Sequence, residues 1–261
     1  HLAGWPCDMN PILELAARHS LYVVEDCAQA HGATYQGRQV GALGHVAAFS
    51  FCQDKIISTG GEGGMLVTND RSLWERAWSF KDHGKSWDAV YNGQHPNGFR
   101  WLHDSFGTNW RLTEMQAAIG RIQLRRLPMW VKQRRENAHI LEERLSRIPA
   151  LRVTRPQSNS GHSYYKYYVF VRPEQLASGW TRDRIVQAIE AEGIHCLSGV
   201  CPEVYLEKAF ENVKQLPATR LPVARELGET SMMFQVHPTL CAEHMRQTCR
   251  IVEKVMRQAS N

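Results

Sequence analysis

Over residues 8–20, apolar Ile12, Leu13, Leu15 and Ala16 recur at helical spacing behind Asp8 and Asn10, with Pro11 in the first turn, so the pattern predicts a capped helix. Leu21-Tyr22-Val23-Val24 follows at once. An unbroken apolar run of this kind suits a strand buried on both faces, as in a parallel sheet flanked by helices. Its carboxyl end delivers Glu25 and Asp26 into a loop, where ligands of open α/β sheets gather. Residues 35–41 read as a short hairpin or turn, and 47–51 and 65–68 as further buried strands. Asn69-Asp70 is placed to cap a helix over 71–80. Residues 81–107, rich in Gly, Asn, His, Trp and Asp, show no period and read as a functional or mobile loop.

Residues 113–148 are helical in pattern almost throughout, with Pro128 expected to end or kink the run. This helix is the expected bridge between a larger domain over 1–128 and a smaller one over 129–261. In the second, strands at 151–153, 164–171, 195–197 and 231–234 alternate with helices at 181–192, near Val223 and at 242–258. The alternation describes a smaller α/β domain, and the whole an α/β protein.

Composition narrows the class. The chain has 261 residues, 43% of them apolar, enough for a real core. The formal net charge of +5 is small and the basic residues are interspersed with acidic ones, which does not indicate nucleic acid. No apolar run has the length of a membrane span, and no leader-like pattern is visible, so a cytoplasmic protein is expected. The seven cysteines, at 7, 27, 52, 196, 201, 241 and 249, lack the spacing of a zinc site and read as reduced structural thiols. His83, His95 and His103 likewise lack metal-ligand spacing, and no metal is expected. The first residue is His1, and an N-terminal part is expected to precede it.

Candidate chemistry gathers around Lys55. Pyridoxal phosphate needs a lysine amine for its aldehyde, an acid beside its pyridine nitrogen, and hydroxyl and N–H donors for its phosphate. Lys55 follows the apolar run ending at Phe51, in a loop that starts inside the protein, where desolvation makes an amine nucleophilic. Asp26, at a strand end, is the candidate acid; alone it would read as a turn residue or helix cap. Ser50 offers a hydroxyl to a phosphate, or to the backbone as a core serine. Thr59-Gly60-Gly61-Glu62-Gly63-Gly64 permits close backbone approach or a simple tight turn, and is neither a Walker loop nor a dinucleotide fingerprint. Gln29 and His31 lie just beyond Asp26, with His31 read as lining.

Taken in order, Glu25-Asp26-Cys27-Ala28-Gln29-Ala30-His31-Gly32-Ala33, Ser50-Phe51 ahead of Lys55, Gly61-Glu62-Gly63-Gly64, and Gly107-Thr108-Asn109-Trp110-Arg111-Leu112 before Glu114-Met115-Gln116-Ala117-Ala118 resemble the DegT/DnrJ/EryC1/StrS family of nucleotide-sugar aminotransferases. The resemblance runs from His1 essentially to the C-terminus. It implies fold type I of the pyridoxal-phosphate-dependent transferases: a mainly parallel large domain, its N-terminal part missing here, and a smaller C-terminal α/β domain. It further implies Lys55 as the Schiff-base lysine and proton shuttle, Asp26 on the pyridine nitrogen, Gln29 near the phenolic oxygen, Ser50 on the phosphate, and Asn109 on the phosphate held by the neighbouring subunit. The glycine stretch carries an extra residue relative to the family's commoner form. The preceding part would hold the remaining phosphate-binding residues, the aromatic ring stacked on the cofactor and some substrate contacts.

The implied activity is a homodimeric, shared-site aminotransferase that moves an amino group from L-glutamate to a nucleotide-linked ketosugar, for lipopolysaccharide, O-antigen or related glycans. Two alternatives stand beside it. A sugar dehydratase on the same scaffold would replace the lysine with histidine, whereas this chain keeps Lys55. A cofactor-free regulatory relative would be colourless where the enzyme is yellow.

Overall fold

A computed structural model of the chain describes residues 1–260 except 96, 99, 201 and 214, and divides into two compact units. The first comprises His1–Met129 together with Pro156–Ser163; the second comprises Trp130–Arg155 and Tyr164–Asn261. A single boundary near 128 therefore misses the return of 156–163 to the first unit. The cause is backbone pairing: β2 (Thr34–Tyr35) pairs antiparallel with β3 (Arg38–Gln39) on one side and with β7 (Ser160–Gly161) on the other. The β2–β3 turn uses Gln36 and Gly37 at φ 49° and 76°, the left-handed pair that a two-residue hairpin requires.

The sheet that carries the candidate site has three strands, β1 (Val24–Asp26), β4 (Val46–Ser50) and β5 (Gly64–Val67), in the order β1-β4-β5. β1 and β4 are parallel, whereas β4 and β5 are antiparallel, so the described part of this sheet is mixed. The expected strand at 21–24 begins only at Val24, and Leu21, Tyr22 and Val24 are 54%, 71% and 67% exposed. Among the described residues β1 stands at the edge of this sheet, paired with β4. The helix before it, α1 (Met9–Arg18), turns Met9 and Ala16 inward.

After β5, Asp70 caps α2 (Arg71–Lys81) by accepting from the Leu73 N–H at 3.0 Å. The segment 81–107 is not structureless. It contains a short helix, α3 (Trp87–Tyr91), capped by Ser86, whose Trp87 ring meets Trp74 at 4.7 Å and Trp78 at 5.0 Å. Leu102 and Gly84 carbonyls accept from Ser86 and Asp104, tying the segment to itself.

α4 (Glu114–Leu145) runs unbroken through Pro128. A proline removes one backbone donor, but here buried Val131, Arg134, Asn137, Ala138, Leu141 and Leu145 recur at helical spacing beyond it and hold the second half by packing. In the second unit the sheet runs β6 (Leu151–Val153), β8 (Tyr167–Val171), β10 (Ser231–Phe234), β9 (Cys196–Leu197), every pair antiparallel. Strand β8 starts three residues later than the expected 164, and alternates buried Tyr167, Val169 and Val171 with half-buried Tyr168 and Phe170. Its inward face packs with Ile185 and Ile189 of α5 (Arg182–Ala191), Val252 and Met256 of α7 (Ala242–Ala259), and Leu141 and Leu145 of α4. α6 (Pro222–Thr230) precedes β10. Arg134 is buried in this unit and donates to the Tyr164 and Tyr165 carbonyls at 3.1 and 3.2 Å; burial pulls its pKa down to about 10. Cys201 lies outside the described residues, and the other six cysteines are free thiols.

Candidate active site

The parallel register of β1 and β4 sets Asp26 opposite Ala48 and Glu25 opposite Ala47. Side chains alternate along strands, so Asp26, Ala48 and Ser50 belong to one face, and Glu25, Ala47 and Phe49 to the other. Asp26 and Ser50 therefore open at the same carboxyl end of two neighbouring strands. Lys55 follows five residues after Ser50, its backbone N–H donating to the Cys52 carbonyl at 3.0 Å. Its side chain is 17% exposed, with Nζ 3.5 Å from Asp54 Oδ1.

The two acids of β1 differ in kind. Glu25 is 3% exposed, and its carboxylate accepts from the backbone N–H groups of Gly41, Leu43 and Gly44 at 2.8, 2.8 and 2.6 Å. His1 Nε2 lies 3.1 Å from the same carboxylate. Glu25 is thus a structural anion that shapes the 41–44 loop, and a Cβ at Gly44 would stand 2.9 Å from the Val23 carbonyl beside it. His1, Glu25 and Cys27 offer ligand atoms within 4.8 Å of one another, but Glu25 is already satisfied by the backbone, and burial, then Glu25, pushes the Cys27 thiol up to about 12. Asp26 is exposed, and only Oδ1 is engaged, by the Ala28 N–H at 3.0 Å. Its Oδ2 has no hydrogen bond among the described residues.

Gln29 accepts from the Ala3 N–H through Oε1 at 2.7 Å, which leaves its Nε2 as a donor. Ser50 Oγ accepts from the Cys52 N–H at 3.3 Å, leaving its hydroxyl proton to donate. The glycine run folds back on the end of β4: Phe51 donates to the Gly63 carbonyl at 2.7 Å, Thr59 donates to the Phe51 carbonyl at 3.2 Å, and Cys52 bridges Gly61. Gly60 and Gly61 take φ of 82° and 146°, which side-chain-bearing residues rarely adopt.

His31 is buried, its ring 5.3 Å from Phe49 and 6.0 Å from Phe51, and lines an apolar cavity of about 360 Å³ with Thr59, Leu112 and Arg121. That cavity lies on the Phe49 face of β4, opposite Ser50.

Asn109 stands apart. It is exposed, and its segment is laddered to the end of α2, with Asn109 bridging Asp82, Thr108 donating to Phe80 at 2.6 Å and Trp110 donating to Lys81 at 2.9 Å. Asp82 is the hub of this ladder: burial raises its pKa, but Lys85 at 3.4 Å and Arg111 at 3.0 Å outweigh it and hold the carboxyl below its ordinary value. No hydrogen bond links Asn109 to Asp26, Gln29, Ser50 or Lys55 among the described residues. The pattern reading missed the structural role of Glu25. It placed the start of α4 at 113 but not the cap there, where Gln116 donates its backbone N–H to Thr113 Oγ1 at 3.3 Å and accepts from the Thr113 N–H at 3.2 Å. A Thr-x-x-Gln capping box is a sequence signature that could have found it.

The profile of the DegT/DnrJ/EryC1/StrS aminotransferase family matches residues 1–254. The chain belongs to this family. The chain is 40% identical over 98% of its length to the GDP-perosamine synthase of Caulobacter vibrioides, covering 64% of that protein. It is 34% identical over 98% of its length to the dTDP-3-amino-3,4,6-trideoxy-alpha-D-glucose transaminase of Streptomyces venezuelae, covering 61% of it. An aminotransferase from Psychrobacter cryohalolentis, solved by X-ray crystallography, superposes with a TM-score of 0.95 at 55% identity, over 98% of this chain and 67% of that one. The chain thus spans less than two thirds of the length of these curated relatives. No helix among the described residues is long and apolar enough to cross a membrane.

Pyridoxal 5'-phosphate is the cofactor of the family. The donor set fits it in kind: a carboxylate oxygen at Asp26 without a partner among the described residues, an amide N–H at Gln29, a hydroxyl proton at Ser50 and a largely covered amine at Lys55.

Proposed function

We propose that the protein is a pyridoxal-phosphate-dependent aminotransferase that moves an amino group from L-glutamate to the keto group of a nucleotide-linked sugar. It works in the cytoplasm, as a homodimer with shared sites, in the synthesis of lipopolysaccharide, O-antigen or a related glycan. The observation that carries this reading is the parallel β1–β4 pairing, which opens Asp26 and Ser50 at one sheet end with Lys55 in the loop that follows. The names of the Caulobacter and Streptomyces relatives, both concerned with aminosugars, support the substrate class.

When bound, pyridoxal phosphate supplies the electron sink that makes a carbon–hydrogen bond beside nitrogen acidic. The Lys55 amine takes the proton from the α-carbon of glutamate in the first half-reaction. In the second it delivers a proton to the sugar carbon that receives nitrogen. Asp26 holds a proton on the pyridine nitrogen, since its Oδ2 is available as an acceptor and a charge-assisted hydrogen bond there favours the protonated ring. Gln29 Nε2 would donate to the phenolic oxygen, and the Ser50 hydroxyl to the phosphate. Asn109, on its ladder beside the end of α2, would hold the phosphate of the partner's site.

The test is to incubate the full-length protein with L-glutamate and a panel of nucleotide-linked ketosugars, and to follow amine products and 2-oxoglutarate by mass spectrometry. An aminated sugar nucleotide is expected with at least one member. Amination of simple keto acids but of no sugar nucleotide would reject the substrate class.

A further inference from the structure

The loop from Lys55 to Gly64 contains four glycines, and a chain so free of side-chain constraint loses much entropy when ordered. Beside its bonds to the end of β4, part of its order is supplied from one face of α4. The Gln116 side chain donates from Nε2 to the Glu62 carbonyl at 2.6 Å, and Gln123 accepts from the Ser58 N–H through Oε1 at 2.9 Å. Between them, Gly120 lets the buried Thr59 lie against the helix, since a Cβ at Gly120 would come within 3.0 Å of Thr59 Cγ2. Positions 116, 120 and 123 fall at i, i+4 and i+7, on one side of a helix.

We propose that Gln116 and Gln123 are positioning residues that clamp the glycine run against α4 on either side of Thr59, and so fix where the Lys55 amine is presented. The proposal rests on the reading of Lys55 given above. The two glutamines use opposite ends of their amides. Gln116 Oε1 is occupied by the Thr113 hydroxyl at 2.9 Å, which directs Nε2 to Glu62 as a donor. Gln123 needs only its oxygen. Glutamate can therefore replace Gln123, because a carboxylate accepts, and cannot replace Gln116, because a carboxylate has nothing to donate and faces a carbonyl.

The experiment compares Gln116→Glu, Gln116→Leu, Gln123→Glu and Gln123→Leu in the full-length protein. Three readouts are taken: hydrogen exchange of peptides covering 56–64 in the cofactor-free protein, the pH titration of cofactor absorbance in the holoenzyme, and kcat against KM for glutamate. Gln116→Glu and both leucine variants should speed exchange in 56–64 by about five- to tenfold, the scale of one lost hydrogen bond. They should also shift the absorbance titration and lower kcat with little change in KM. Gln123→Glu should match the parent in all three. Identical behaviour of the two glutamate variants, or unchanged exchange in both leucine variants, would overturn the clamp. The exchange measurement needs no cofactor, so failure of the clamp is distinct from failure of the Lys55 reading, which would show as absence of cofactor from Lys55 whatever the exchange rates.

Discussion

Glu25 and Asp26 are consecutive residues of β1 that face opposite sides of the sheet: Glu25 is buried and accepts three backbone N–H groups, while Asp26 is exposed and accepts one. One carboxylate is committed to the fold, and the other keeps an oxygen without a hydrogen bond among the described residues. The difference gives each a distinct experimental signature.

Glu25→Ala should destabilise the protein by about 3 kcal/mol or more, because it orphans buried backbone donors that were bonded to a charged group. Glu25→Gln should cost less, since one oxygen remains. Denaturant unfolding would measure both, and a loss below about 1 kcal/mol for Glu25→Ala would argue against the structural role.

Asp26→Asn should leave the unfolding midpoint nearly unchanged and cut turnover by at least about a hundredfold, as expected when a site loses a matched acid–base partner. An amide cannot hold the pyridinium proton as a carboxylate does. Near-normal kcat in Asp26→Asn would remove Asp26 from the site.

In the second unit, hydrogen bonds from Arg220, with Nε 3.0 Å from Glu203 Oε1, and from the Tyr205 hydroxyl at 2.7 Å hold the Glu203 carboxyl down at about 2, against an ordinary value of 4.5. A carboxyl depressed by folding adds stability above its ordinary pKa, and that contribution fades as pH falls from about 4.5 to about 2. Arg220→Gln should therefore lower Tm at neutral pH and flatten the acid limb of the Tm profile over this window. A parallel displacement of the profile, with its slope intact, would contradict the assignment.

Asn109 makes a claim about assembly. Lys55→Ala and Asn109→Ala, each nearly inactive, should regain activity when mixed under conditions that exchange subunits, approaching about half of the wild-type level per heterodimer. One site of the heterodimer would carry both lesions and the other neither. If Asn109 serves the cofactor of its own chain, mixing after demonstrated exchange restores nothing.

That Asp26 ends a strand, and that Ser50 ends another with Lys55 in the glycine-bearing loop after it, was legible because such placement is local: an apolar run, an acid at its end and a loop that follows. The longer helices were legible for the same reason, as with Asp70 ahead of α2 and Thr181 ahead of α5, whose side chains accept from Leu73 and Arg184. What escaped depends on distant backbone. Glu25 is defined by N–H groups 16 to 19 residues away, which no side-chain pattern reveals. The direction of β5 is set by the glycine run turning the chain back beside β4, and an apolar stretch reads alike in either direction. β7 is two residues, Ser160 and Gly161, with no alternation to detect, yet it returns 156–163 to the first unit. The run 21–24 looked doubly buried because apolar content says nothing about edge position.

The most direct measurement is reduction of the full-length holoenzyme with borohydride, followed by peptide mapping of the phosphopyridoxyl group. The label is expected on Lys55, within the peptide that also carries Ser50, and absent from Lys55→Ala. A label on another lysine, or none on a protein that has bound the cofactor, would contradict the site and the proposed aminotransferase with it.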